Sequence, residues 1–179
     1  RKPDVAVFDG SGAAIPPIAA DARILVAHDL HSGLNPYRAL ISDLVLTMSD
    51  DVAAAAHGLG RRALRFDLRL QPLQPLAGRR TAVFTTGPAG IDHLDRVVFS
   101  SRNLANRELL RRDLAQAPAE VYLVELKAAA IDVVAEAAAA RGIDVVLASN
   151  EVIGAGVDEA LLELADLAVG TEARDNLLG

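Results

Sequence analysis

The chain of 179 residues has no cysteine, no tryptophan and a single methionine, and only 3% of it is aromatic. Without thiols there is no disulfide scaffold, no thiol nucleophile and no zinc site built on thiolates. Because 51% of the residues are hydrophobic and so few carry rings, the interior has to be assembled from Ala, Val, Leu and Ile. That is the composition of helices packed on parallel strands, and it excludes a disordered chain. No apolar stretch approaches the ~18 residues of a membrane span, since Asp, Arg and Gly interrupt every run. No secretory leader precedes the first strand-like run, so a cytoplasmic protein is expected. Acidic residues outnumber basic ones by 24 to 18, for a net charge of −6. Neither a nucleic-acid surface nor an anionic-membrane surface is expected, although a local basic pocket is compatible with that balance.

What is present is a recurring pattern. Short β-branched runs occur at residues 5–8, 24–27, 44–47, 81–84, 97–99, 121–124 and 144–147. Between them, residues 51–59, 104–117, 126–141 and 157–169 are long and Ala/Leu-rich enough to form crossover helices. The expected fold class is α/β, with mostly parallel sheets flanked by helices. Gln71-Pro72, Gln74-Pro75 and Gly78 interrupt the pattern, which makes 71–80 the expected linker between residues 1–70 and a small α/β domain at 81–179. Residues 171–179 read as a frayed tail. The chain opens on Arg1-Lys2-Pro3, without an initiator methionine, directly before strand-like sequence. Its first half offers about three strands and little helix to cover them, so an upstream segment or a partner is expected to complete it.

In open parallel sheets, ligands bind beyond the carboxyl ends of the strands, and the residues there are not ordinary loop filler. An apolar run ending in Asp9-Gly10-Ser11-Gly12 is where a carboxylate could hold magnesium through water, with glycines letting the backbone approach phosphate; the same letters also make a plain turn. No G-x-x-x-x-G-K-[ST] loop occurs, so a nucleotide phosphate would need its cradle from outside these residues. In Ser101-Arg102-Asn103-Leu104-Ala105-Asn106-Arg107, Asn103 is the expected helix cap, and Arg107 opposes the positive end of the helix dipole. An anion between them would resolve that opposition. Alternatively, Arg107 turns to a carboxylate such as Asp113, or to water. Lys127, one of only two lysines, stands in the expected first turn of an apolar helix with Glu125 before it and Asp132 after it. A structural ion pair and a lysine held ready for a substrate phosphate both account for it.

Together, the segments 9–17, Tyr37-Arg38 with 41–48, 101–107 with Asp113, and 125–134 resemble the cyclic 2,3-diphosphoglycerate synthetases, from about Val5 to about Asn150. The resemblance implies a P-loop NTPase-like fold for residues 1–70, followed by the family's C-terminal domain. It also implies an ATP- and magnesium-dependent ligase that closes 2,3-diphosphoglycerate into its cyclic phosphoanhydride, releasing ADP and phosphate. Under that reading Asp9 serves the metal, and Gly10, Ser11, Gly12 and Thr47 the nucleotide. Arg102, Asn103, Asn106, Arg107 and Lys127 serve the substrate phosphates, with Asp9, Glu125 and Lys127 catalytic. The Walker A segment would lie upstream. Two other classes remain open from the sequence: a non-catalytic phosphometabolite-binding or assembly domain, and a structural subunit whose apolar helix packs on a twin to make a homodimer.

Overall fold

Ala-rich helices alternating with β-branched runs build two separate sheets. The computed structural model describes residues 4–10, 15, 17–126 and 129–178, the last eight by backbone only. In chain order the elements are β1 (Ile24–Val26), α1 (Asn35–Ile41), β2 (Leu44–Thr47), α2 (Asp50–Gly58), β3 (Ala63–Arg65), β4 (Asp67–Pro72), β5 (Thr81–Phe84), β6 (Val97–Ser101), α3 (Arg107–Gln116), β7 (Val121–Glu125), α4 (Ile131–Arg141), β8 (Asp144–Ile153) and α5 (Val157–Leu178). They fall into two compact units, Arg1–Phe66 with Gly154–Gly179, and Asp67–Ile153.

In the first unit, β1, β2 and β3 form a parallel sheet in that order. The central strand β2 is buried along its whole length, as a parallel strand covered on both faces requires. Val45 packs with Ala39 of α1, Val52 and Ala56 of α2, and Ala63. Leu44 and Leu46 face the other way, onto Val157 and Ala160 of α5. Local chemistry sets the helix starts: Pro36 occupies the first turn of α1, and Ser49 Oγ accepts the Val52 N–H to cap α2. The two faces of β1 fare differently. Leu25 packs under the helices, whereas Ile24 and Val26, on the α5 face, are 44% and 66% exposed.

The second unit is a five-stranded sheet in the order β4-β8-β7-β5-β6, parallel except for β4, which runs antiparallel to β8 from Asp67 opposite Ile153 to Pro72 opposite Ala148. It is therefore a mixed sheet. One face carries Phe84, Tyr122 and Val124 beneath Leu110 and Leu114 of α3 and Val133, Val134 and Ala138 of α4. Phe84 meets Tyr122 edge-on with ring centroids 5.3 Å apart, and Phe99 at 6.1 Å. Three of the six phenylalanine and tyrosine rings in the sequence are thus gathered at one place. The other face, with Leu70, Val83, Leu123 and Val146, is covered by Leu76, Ala89, Ile91 and Leu94 from loops rather than by helices.

Several expectations change. Residues 5–8 form no strand, because no strand lies beside them to complete a ladder. Two strands went unforeseen. In β3, Arg65 ends a run entered through Arg61 and Arg62, so the charge masks it. In β4, polar and apolar residues alternate through Gln71 and Pro72, at the start of the expected linker. The helix expected from 104 begins at Arg107, because the Leu104 N–H is spent on the Thr85 carbonyl, and the one expected from 126 begins at Ile131, because Leu126 N–H continues the ladder to Ala148. Residues 171–178 are helical, as the end of α5.

Phe84 is fully buried between two other rings. Phe84→Ala is expected to lower the unfolding free energy by about 3–5 kcal/mol in urea titration; a loss under about 1 kcal/mol would mean that the aromatic cluster does not anchor this unit.

Candidate functional site

The carboxyl edge of the five-stranded sheet gathers the polar side chains of the second unit. Glu125 ends β7, and its carboxylate is buried. One of its oxygens accepts the Thr86 N–H at 2.6 Å and the Thr86 hydroxyl at 2.8 Å; the other accepts the Asn150 side-chain amide at 2.5 Å. A buried carboxylate is tolerable only when donors replace its water, and three donors from β8 and the loop after β5 do so here. Both oxygens are engaged, an arrangement suited to orienting the Thr86 loop and Asn150.

On the far side of β5, the Thr85 hydroxyl donates to the Gly87 carbonyl at 2.9 Å, and the Thr85 N–H bonds the Ser101 carbonyl. Ser101 Oγ and the Asn103 side-chain amide both donate to Asp113 Oδ2, at 2.5 and 2.8 Å, and Ser101 Oγ accepts the Asn103 N–H at 3.1 Å. Asp113 on α3 therefore pins the 101–103 loop at both ends. Arg102, between the two pinned residues, is exposed and has no hydrogen bond or ion pair among the described residues.

Asn103 is not the helix cap. Asn106 takes that place, its Oδ1 accepting the N–H groups of Glu108 at 3.2 Å and Leu109 at 3.1 Å. Either asparagine suits a cap by residue type; the commitment of Asn103 to Asp113 decides between them. Arg107 turns neither to Asp113 nor to water but forks onto Asp132 of α4, at 2.8 and 2.9 Å, with a longer bond to the Ala129 carbonyl at 3.4 Å. Both partners are about half exposed. The guanidinium, donating to both carboxylate oxygens, holds the Asp132 carboxyl below its ordinary value against a smaller opposing effect of desolvation. Lys127 lies outside the described residues. Thr86, Asn150 and Asp113 complete the site and were not expected in these roles; Thr86 and Asn150 were marked only by their place after strand-like runs, and Asp113 by its place in the motif with 101–107 and as a possible partner of Arg107.

The first unit presents a second carboxyl edge. Asp9 and Gly10 are exposed and in no strand, and the cavity of about 390 Å³ that they line runs along β1 to Arg23 and Ser42, which precede β1 and β2, rather than past the carboxyl ends of the strands. Ser11 and Gly12 lie outside the described residues. Thr47, at the end of β2, is buried, and its hydroxyl accepts the Ser49 N–H at 3.1 Å. After β1, Asp29 accepts the Ser32 hydroxyl and the N–H groups of Ser32 and His31, which hold its carboxyl down to about 2. No group of three or more metal-ligating side chains occurs among the described residues.

The family model for the C-terminal domain of cyclic 2,3-diphosphoglycerate synthetase matches residues 72–151, the stretch that holds every residue of the five-stranded edge just described. The chain is 40% identical over 194 residues to the cyclic 2,3-diphosphoglycerate synthetase of Rubrobacter xylanophilus, an alignment covering 92% of the chain and 44% of that protein. It is 34% identical over 201 residues to the enzyme of that name from Thermococcus gammatolerans, covering 96% and 46%. The protein of the same name from Thermococcus kodakarensis is 32% identical over 199 residues, covering 95% and 46%. The chain spans about half the length of the curated relatives it matches.

Removing Arg107 should let the Asp132 carboxyl climb back toward its ordinary range. The sign follows from the depressed value: the pair's contribution to stability is present above the unfolded-state pKa and is lost as pH falls through the folded one. NMR titration of Asp132 in Arg107→Ala reads this directly, and an unmoved carboxyl would assign the depression to another group. In Glu125→Gln, the amide replaces one acceptor oxygen with a donor that faces a donor. A destabilisation of about 1–3 kcal/mol in thermal or urea unfolding is expected, whereas a neutral change would show that the three bonds carry no net stability.

Proposed function

Since the chain belongs to the cyclic 2,3-diphosphoglycerate synthetase family, we propose that it serves the ATP-dependent closure of 2,3-diphosphoglycerate into its cyclic phosphoanhydride, with release of ADP and phosphate. The observation that carries this reading is the similarity to proteins of that name along 92% of the chain. It favours a ligase over the non-catalytic binding domain that the sequence also allowed. In this reading residues 1–70 are the last part of a P-loop NTPase-like domain, the phosphate-cradling Walker A segment lies upstream, and the enzyme works in the cytoplasm. No helix among the described residues is long and apolar enough to cross a membrane.

The described residues do not by themselves make a magnesium or nucleotide site. Asp9 is a single exposed acid, and Thr47 has its side chain buried with its hydroxyl already engaged. We therefore derive no step through ATP or Mg2+, and assign to Asp9, Gly10 and Thr47 only a place on the nucleotide side.

For the phosphoglycerate, the chemistry required of the protein is charge neutralisation and positioning. At about −1.5 to −2 per phosphate monoester, plus a carboxylate, the substrate carries four to five negative charges near neutral pH. Two of its phosphates must be brought together for one oxygen to reach the other phosphorus. Arg102 is the cation best prepared for this, because its neighbours on both sides are fixed by Asp113 while its own guanidinium is uncommitted among the described residues. Arg107, the first residue of α3, has Asp132 as its counter-ion, so a phosphate reaching it competes with a carboxylate. Asn103 and Asn106 hold the loop and the helix start that frame both arginines. Lys127 is assigned to the same phosphates by its position in the sequence after Glu125.

The test is a protein of the relatives' length, incubated with ATP, Mg2+ and 2,3-diphosphoglycerate and followed by phosphorus NMR. Appearance of the cyclic product together with ADP supports the reading, and ATP left intact beside unchanged substrate sinks it. In that protein Arg102→Ala is expected to lower kcat/KM by about 2–4 kcal/mol of transition-state stabilisation, the scale of one preorganised charge donor. Its melting temperature should stay unchanged, since the side chain is exposed; a lowered melt with full activity would make Arg102 a structural residue.

A further inference from the structure

Glu125 is a buried acid whose partners among the described residues are all neutral: the Thr86 N–H and hydroxyl on one oxygen, the Asn150 amide on the other. A carboxylate offers about four acceptor sites, and the fold takes three of them. Along β7, Glu125 follows the alternation of Val121 and Leu123, which pack on the loop-covered face, while Val124 lies under α3 and α4. It therefore stands on the face of the sheet away from the helices that carry Arg107 and Asp132.

The bonds it makes lead to Arg102 by another route. Thr86 continues directly from Thr85, and the Arg102 loop is wrapped around the Thr85 peptide. The Thr85 N–H donates to the Ser101 carbonyl at 2.9 Å, and the Thr85 carbonyl accepts the Leu104 N–H at 3.1 Å. Arg102 and Asn103 lie between those two bonds. The loop is thus tied on one side to Asp113 and on the other to the end of β5. That end has left the ladder, whose last pairs are Phe84 with Ser101 and Phe84 with Val124. What holds it beyond the ladder is Glu125, one residue past Val124.

We propose that Glu125 is a positioning residue for the Arg102 guanidinium, acting through Thr86 and Thr85, and takes no part in the reaction itself. This rests on the reading of Arg102 as a ligand of the substrate phosphates, and it replaces the catalytic role that the family resemblance implies for Glu125. An exposed arginine on a short loop is aimed only as well as the backbones that bracket it, and a misplacement of about 1 Å costs up to about 100-fold in rate. Asp113 fixes the side chains on either side of Arg102; Glu125 fixes the β5 backbone beneath them. An ionised acceptor suits that task, because its hydrogen bonds are about twice as strong as neutral ones, and burial keeps water from competing for the same donors.

The test uses the protein of the relatives' length and two readouts. In the first, hydrogen exchange is followed at Leu104, whose N–H ends on Thr85, and at Leu123, buried in the middle of β7. Glu125→Gln and Thr86→Val are expected to speed exchange at Leu104 by about 10-fold relative to Leu123, whereas a general loss of stability would speed both alike. In the second, kcat/KM for 2,3-diphosphoglycerate is expected to fall by about 10-fold in either variant when Arg102 is present, and by less than about 2-fold when Arg102→Ala is already in place, as for residues that act through one another. Thr86→Ser, which keeps the hydroxyl, should recover most of what Thr86→Val loses, and the pH dependence of kcat should keep its shape in Glu125→Gln. An equal loss with and without Arg102 overturns the proposal and puts Glu125 in direct contact with the substrate. So does a lost limb of the pH profile, or a Leu104 amide that gains no more than Leu123. Wild-type protein that makes no cyclic product overturns the reading on which the proposal rests, and the exchange readout, which needs no catalysis, tells that failure apart from a failure of Glu125 to hold the loop.

Discussion

A parallel sheet has to be covered on both faces, and that constraint governs both units. In the five-stranded unit it is met from within. Helices α3 and α4 cover one face, loop residues Leu76, Ala89, Ile91 and Leu94 cover the other, and the antiparallel β4 extends the sheet beyond β8. The three-stranded unit meets it only around β2 and β3. There α1 and α2 lie on one face and α5 on the other, while β1 keeps bare apolar residues on the α5 face and a free backbone edge.

Where the sheet is complete, its carboxyl edge can be built with rigidity. Glu125 ties the loop after β5 to β8, and Asp113 ties the loop after β6 to α3. The two carboxylates act alike: each gathers hydrogen-bond donors from segments distant in sequence and, by engaging them, fixes the backbone between. The exposed pair of Arg107 and Asp132 is of another kind. Water competes with it on both sides, so its value is geometric, joining the start of α3 to the start of α4, more than energetic. In this frame Arg102 is presented by a pinned loop, whereas Arg107 is held by its counter-ion.

The two acids whose values are lowered by local bonding illustrate the same economy of loops. Asp29 closes the turn after β1 through Ser32 and His31, a local arrangement that needs no partner from another element. Asp132 depends on an arginine 25 residues away. The first is the kind of interaction a turn sequence announces, and the second arises only once two helices lie side by side.

Periodicity and composition alone determined the α/β class, the strands near 24, 44, 81, 97, 121 and 144, and the helices between them, because apolar β-branched runs and Ala-rich segments bury themselves in only a few ways. They also singled out the carboxyl-edge segments, and the four motifs at 9–17, 37–48, 101–107 with Asp113 and 125–134, taken in order, pointed to the family. What they left open were choices between chemically equal partners. Asn103 and Asn106 both suit a cap, and Arg107 had several acids within reach; pairing was settled by which side chains the packed helices bring to hydrogen-bond distance. The strands β3 and β4 escaped notice because arginines and a terminal proline mask short runs that are strands only through their neighbours. Conversely, residues 5–8 have all the local character of a strand and form none, since a ladder exists only when a second backbone stands beside it.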